Sequence, residues 1–245
     1  MFLRNAIGTL LLVVLLLFGT SLPARALDLK LGSVVPNEQE RTDEQALREG
    51  EKLLAARKPA QAVEEFRKVT AGFEEKYRDS REKHFCARNR DESQVYMSMA
   101  QPAGADISIL PMTWALASFL EGYALIEAGR TTEARGPLAR AVALSPMNAQ
   151  FLSELGHLQQ LDRNWPAALA TFQRAEEAVR FSAQEVRKVH LSRALRGQGY
   201  TFVEMHRLED AERAYRKCLR IDPGDRKARS ELAFVQKLRG RLRRS

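Results

Sequence analysis

Two hydrophobic patterns divide this chain. The first is a single block. Ala6 to Gly19 is almost wholly apolar, with Arg4 before it and Thr20-Ser-Leu-Pro-Ala-Arg-Ala26 after it. The second runs through residues 43–240, where small and large apolar positions recur between charged ones. A Gly is followed twelve residues on by Ala, four further on by an apolar or aromatic residue, and three further on by a small one. Gly122, Ala134, Leu138 and Ala141 make one such set, with Pro146 closing it. Gly156, Ala168, Phe172 and Ala175 make another, and Gly199, Ala211, Tyr215 and Cys218, closed by Pro223, a third. Gly50, Ala62 and Phe66 begin the series.

This spacing predicts pairs of helices. The Gly lies on a first helix, where the missing side chain lets a second helix approach closely. The Ala lies on that second helix, and the aromatic residue one turn later fills the crossing. Pro then ends the second helix. One pair cannot bury its apolar face alone, so pairs stack into a solenoid.

The pattern resembles the tetratricopeptide-repeat family over most of residues 43–240. The units are 43–76, 115–148, 149–182 and 192–225. The resemblance implies an all-α fold, a right-handed α-solenoid of stacked antiparallel helix pairs with a C-terminal capping helix. The chain then divides into a leader (1–26), a flexible lead-in (27–42) and a first unit (43–78). An irregular insert or degenerate repeat (79–114) follows, then three units (115–225), then a capping helix with a basic tail (226–245). The Gly-to-Gly spacings of 72, 34 and 43 locate the irregularities. The longest leaves room for a poorly conforming helix pair near 77–112, read as a helix over 82–100 and a loop. The 43 places about nine extra residues near 181–190, which lengthen a helix. Pro137 is expected to kink or shorten the helix that contains it.

The leading block reads as a secretory signal peptide cleaved after Ala26. An uncleaved anchor is the alternative, but 14 apolar residues fall short of the ~20 that span a bilayer. The expected location is periplasmic or secreted, soluble after cleavage. Composition fits: 44% of the 245 residues are hydrophobic, too many for a disordered chain, and two cysteines are too few for a disulfide scaffold. The net charge of +8 is uneven. With Arg4 and Arg25 removed, residues 27–180 sum to −3 and residues 181–245 to +9. That excludes a uniformly basic, nucleic-acid-coating protein.

No reactive constellation stands out. His84, His157, His190 and His206 form no ligand spacing. No nucleophile elbow or phosphate loop occurs, and Arg196-Gly-Gln-Gly199 is read as helix packing. Neither a cofactor, a metal nor an enzymatic activity is expected. Met97, Met99 and Met112, with Cys86, offer a soft-metal reading of the insert, weighed against plain packing and against a binding loop. Cys86 and Cys218 lie several repeats apart, so no bond between them is expected; an intermolecular bond through Cys86 is the alternative.

The resemblance also implies a concave groove lined by positions two, five, nine and twelve of each first helix. By phase these are Leu116, Phe119, Tyr123 and Ile126; Gln150, Ser153, His157 and Gln160; Arg193, Arg196, Tyr200 and Val203; and Lys227 from the cap. The partner-binding set is accordingly Phe119, Tyr123, Gln150, Ser153, His157, Gln160, Arg193, Arg196, Tyr200 and Lys227. The family's clamp for a terminal carboxylate needs Lys or Arg and Asn, where this chain holds Phe119, Tyr123 and Ser153. The function implied is a non-catalytic scaffold that holds a peptide or partner helix, with an acidic segment, in its groove. The alternative is a cell-envelope adaptor whose basic end contacts anionic lipid or polysaccharide.

Overall fold

Each of the four glycines of the repeat meets the side chain sixteen residues ahead of it. A Cβ on Gly122 would lie 2.6 Å from Leu138, one on Gly199 2.6 Å from Tyr215, and one on Gly156 3.0 Å from Phe172, while one on Gly50 would overlap the Phe66 ring. These contacts are seen in a computed structural model that describes residues 38–100 and 106–242. The expected leader (1–26), the start of the lead-in and residues 243–245 of the basic tail lie outside the described residues.

The first pair is α1 (Glu38–Ala55) and α2 (Pro59–Lys76). Helix α1 therefore starts inside the 27–42 stretch. Next come β1 (Lys83–Cys86), α3 (Arg90–Ala100) and β2 (Ile107–Leu110). Three pairs follow: α4 (Thr113–Glu127) with α5 (Thr131–Leu144), α6 (Ala149–Leu161) with α7 (Trp165–Ala178), and α8 (Gln184–Glu204) with α9 (Leu208–Ile221). A 3-10 turn (Val179–Phe181) leads into α8, and α10 (Arg226–Leu242) is the cap. Helices pack on their sequence neighbours, and α2 packs directly on α4. The architecture is a helical solenoid.

All four pairs turn in one way. Arg57, Gly129, Arg163 and His206 stand seven residues after the repeat glycines, each with φ between 56° and 76°. The next amide reaches back to close the turn: Lys58 N to Leu53 O, Arg130 N to Leu125 O, Asn164 N to Gln159 O and Arg207 N to Phe202 O, all 2.8–2.9 Å. This is the left-handed helix terminus that favours glycine, and only the second pair has one there. Arg163→Gly should therefore raise stability by about 0.5–1 kcal/mol, the relief of left-handed strain minus the entropy of a glycine in the unfolded chain. Thermal melting of the variant checks this; an unchanged or lower midpoint would show that the Arg163 side chain contributes more than the strain costs.

Pro137 does not shorten its helix. Helix α5 keeps 14 residues, the length of α7 and α9. The preceding Gly136 has no Cβ to clash with the proline ring, which eases the helical conformation there. The residues in excess of the period after Gly156 go into the 3-10 turn and into α8, which reaches 21 residues.

The insert is not a helix followed by a loop. His84 to Cys86 are extended, and β1 pairs in parallel with β2, Lys83 opposite Ile107 and Cys86 opposite Leu110. Parallel strands need a crossover, and α3 supplies it. Phe85 stacks on Tyr96 of α3 at 5.1 Å, over Val95, Ile107 and Ile109. The insert is tied to the α5–α6 turn: Met147 N donates to the Tyr96 hydroxyl at 3.3 Å and Arg88 Nη2 to Met147 O at 3.2 Å. Arg88 also holds Glu92, which is fully buried; its backbone N–H and Nε reach the carboxylate at 2.7 and 2.9 Å.

Cys86 and Cys218 are free and buried in different apolar clusters. Cys86 is fully buried, which keeps its sulfur out of reach of a thiol on another chain, and burial pushes its thiol up to about 11. Met97 and Met99 stand exposed on α3 while Cys86 is sealed. Among the described residues, no group of three His, Cys, Asp or Glu side chains is placed to hold a metal ion. No described helix is long and apolar enough to cross a membrane.

Candidate partner-binding face

The first helices α4, α6, α8 and α10 carry the residues assigned to the groove, and the structure splits them into three groups. The first is internal. Phe119 and Tyr123 are each only 2% exposed and Ser153 is equally buried. Phe119 stacks on Phe151 of α6 at 4.7 Å, and the Ser153 hydroxyl donates to Ala149 O at 2.7 Å. These three assignments to an open groove do not hold. Helix α4 is packed by α2, by α5 and by β1, and twelve of its fifteen residues are buried. Aromatic side chains at groove positions fill the space between neighbouring first helices instead of facing a partner.

The second group braces one helix to the next. Gln160 Nε2 donates to Gly197 O at 3.0 Å and to Thr201 Oγ1 at 2.9 Å. Arg193, 14% exposed at its side chain, reaches Glu154 on α6 at 3.8 Å, and His157 Nδ1 lies 3.5 Å from the same carboxylate. Burial works to raise Glu154, but His157 and Arg193 outweigh it and hold the carboxyl below its usual range. Tyr123 and Glu127 complete this cluster. Burial raises both, reinforced by the Glu154 charge. Arg196 Nη1 pairs with Asp225, whose Oδ1 accepts from Ala228 N at 2.9 Å and so caps α10. Burial would raise Asp225, yet the Ala228 N–H and the Arg196 guanidinium keep it low. Arg193 and Arg196 are thus struts between helices. Glu154 and Asp225 were missed by the repeat phase, because they lie one or two residues off the groove positions.

The third group is open. Gln150 is half-buried, Lys227 is exposed, and Tyr200 is 37% exposed with Trp165 against its edge at 6.3 Å. Phe234, 53% exposed on α10, stands 34 residues after Tyr200. It occupies the same position of the next first helix. Adding one period to Tyr200 would have found it. Much of the basic excess at this end is engaged internally: Arg216 and Arg239 with Glu212, Lys217 with Glu176, Arg207 and Arg213 with Asp210.

The fold matches solved structures. A double mutant of MamA RS-1 aligns with 81% of this chain and 85% of its own, at 13% identity and a TM-score of 0.55. The first TPR of Spaghetti (RPAP3), bound to the HSP90 peptide SRMEEVD, covers 51% of this chain and 93% of its own, at 17% identity and a TM-score of 0.46. The second TPR domain of human RPAP3, in complex with the HSP70 peptide SGPTIEEVD, covers 50% and 94%, at 17% identity and a TM-score of 0.44. No protein-family model and no curated protein matches the chain. With the glycine contacts and the repeated turn, the helical architecture is similar to the solenoid of the MamA structure.

Proposed function

We propose that the protein is an exported, non-catalytic scaffold that binds another protein along the first-helix face from α6 to α10. One observation carries this reading. Tyr200 and Phe234 repeat in phase on adjacent first helices and both stay exposed, whereas Tyr123, at the same position on α4, is closed by packing. Exposed aromatic residues in register are the features that anchor partner segments. Lys227 lies on the same face and adds a charge that draws an acidic segment. The export half of the proposal rests on the apolar block and the A-x-A site at its end.

The binding half is tested with a photo-reactive side chain placed at Tyr200 or Phe234, and at Arg174 on a second helix as control. Crosslinks to one discrete protein from the first two positions and not from Arg174 are expected. Equal crosslinking from all three would refute a partner-binding face. For export, mass spectrometry of the protein from the cell envelope or medium should find an N-terminus at Leu27; Met1 retained there would refute processing.

A further inference from the structure

The insert and the lengthened start of α8 have no counterpart in the repeat, yet they enclose a cleft of about 620 Å³ with the starts of α4 and α6. Leu116, Phe151 and Val186 give it an apolar floor. Three observations at its wall point to an anion. First, α8 begins at the cleft: Ala183 supplies no side-chain cap to the amides of Gln184 and Glu185, while the Val186 amide is taken up by Ala183 O at 3.1 Å. Second, Arg180 is exposed at the rim. Arg187 stands beside it, donating through Nη2 to Arg180 O and Ser182 O and so fixing the 3-10 turn. Third, His190 lines the cleft at 4% exposure, and its Nε2 has no hydrogen-bond partner. Its Nδ1 lies 2.9 Å from the Ser182 hydroxyl. Burial, with Arg193 and Arg88 nearby, lowers its pKa to about 4, so the ring is neutral at pH 7. In the tautomer where Nδ1 accepts from the Ser182 hydroxyl, the proton sits on Nε2 as an unused donor. Asp91 is the acidic residue that lines the cleft; Arg88 is taken up by the buried Glu92.

We propose that this cleft is a specificity pocket for an extended partner segment, seating an apolar side chain on its floor and a neighbouring Asp or Glu carboxylate against Arg180, the α8 amides and His190 Nε2. A side-chain carboxylate is favoured over a chain terminus because the cleft does not end the binding face. Gln150 belongs to both the cleft and the first-helix face, so a segment runs on from one to the other. The proposal rests on the partner-binding reading above and adds where and by what chemistry selection occurs.

The test is an NMR titration of the full-length protein with blocked pentapeptides that hold one leucine and one glutamate at adjacent or next-adjacent positions, against twins with glutamine for glutamate. The glutamate peptides are expected to shift the amides of Gln184–Val186 and the His190 ring nitrogens. The glutamine twins and the Arg180→Glu variant are each expected to bind about tenfold more weakly, the loss of one charge-assisted hydrogen bond. Arg180 is exposed, so the variant should retain its fold, checked by circular dichroism. Equal binding of the twins, or shifts confined to Tyr200 and Lys227, would overturn the pocket and leave the partner-binding face standing. Binding only by peptides with a free C-terminus would overturn the side-chain assignment. No shift anywhere from any peptide would overturn both readings.

Discussion

Gly197→Leu is expected to unfold the α7–α8–α9 end of the solenoid, with a loss near the upper end of overpacking costs, about 3 kcal/mol. Gly197 is not one of the four repeat glycines, yet its missing Cβ is where the Phe172 ring lies. The ring has nowhere to retreat. On its other side is Gly156 of α6, where a Cβ would already come within 3.0 Å. Phe172 is thus clasped between two glycines on two first helices, and any side chain at 197 drives α7 from α8. Urea denaturation should show a lowered midpoint, and Phe172→Ala in the same chain should recover part of it by vacating the space. Gly72→Ala is the counterpart. Gly72 lies on the exposed side of α2, with Gln39 Nε2 its nearest neighbour at 3.9 Å, so it should gain about 0.5–1 kcal/mol from helix propensity. A midpoint unmoved by Gly197→Leu would refute the clasp.

Arg88→Met is expected to cost about 3–5 kcal/mol and to release the insert, because it strands the Glu92 carboxylate in the interior. Glu92 is fully buried and takes both its side-chain donors from Arg88, with a third bond from the Arg88 amide. The same guanidinium bonds Met147 O on the α5–α6 turn, so one residue neutralises the insert's buried charge and fastens it to the solenoid. Replacing both residues removes the charge with the partner, and Arg88→Met with Glu92→Met should recover most of the loss. Denaturation of the single and double variants, followed by near-ultraviolet circular dichroism of the Phe85–Tyr96 stack, measures both effects. A single variant as stable as the parent would show that Glu92 is not held by Arg88.

The helix pairs were legible because each repeat glycine and the large apolar or aromatic residue sixteen positions ahead encode one local contact. Gly199 and Tyr215 need only a helix, a short turn and a helix to meet. Phe234 was legible in principle, as Tyr200 plus one period. The insert was not legible. Lys83-His-Phe-Cys86 is short enough to suit either a helix or a strand, and its partner Ile107–Leu110 lies across a helix in the sequence. Glu92 looks like a solvated acid until the fold brings Arg88 and Met147 around it. The groove assignments failed at α4 for a related reason. Phase says which side of a helix a residue is on, but not whether a neighbour covers that side. Phe119 and Tyr123 are on the assigned face and buried, because Phe151 and the packing around α4 close it.

Local spacing alone determined the period, the pairing of helices and the cap, since these follow from residues within about one repeat of each other. The sequence also carries the charge asymmetry and the apolar block from Ala6 to Gly19. Which groove residues stay open, which arginines act as struts, and how the insert and α8 enclose a cleft were decided only in three dimensions. Each of these depends on contacts between elements far apart in the chain. Burial by a distant neighbour leaves no periodic mark on the residue that it buries.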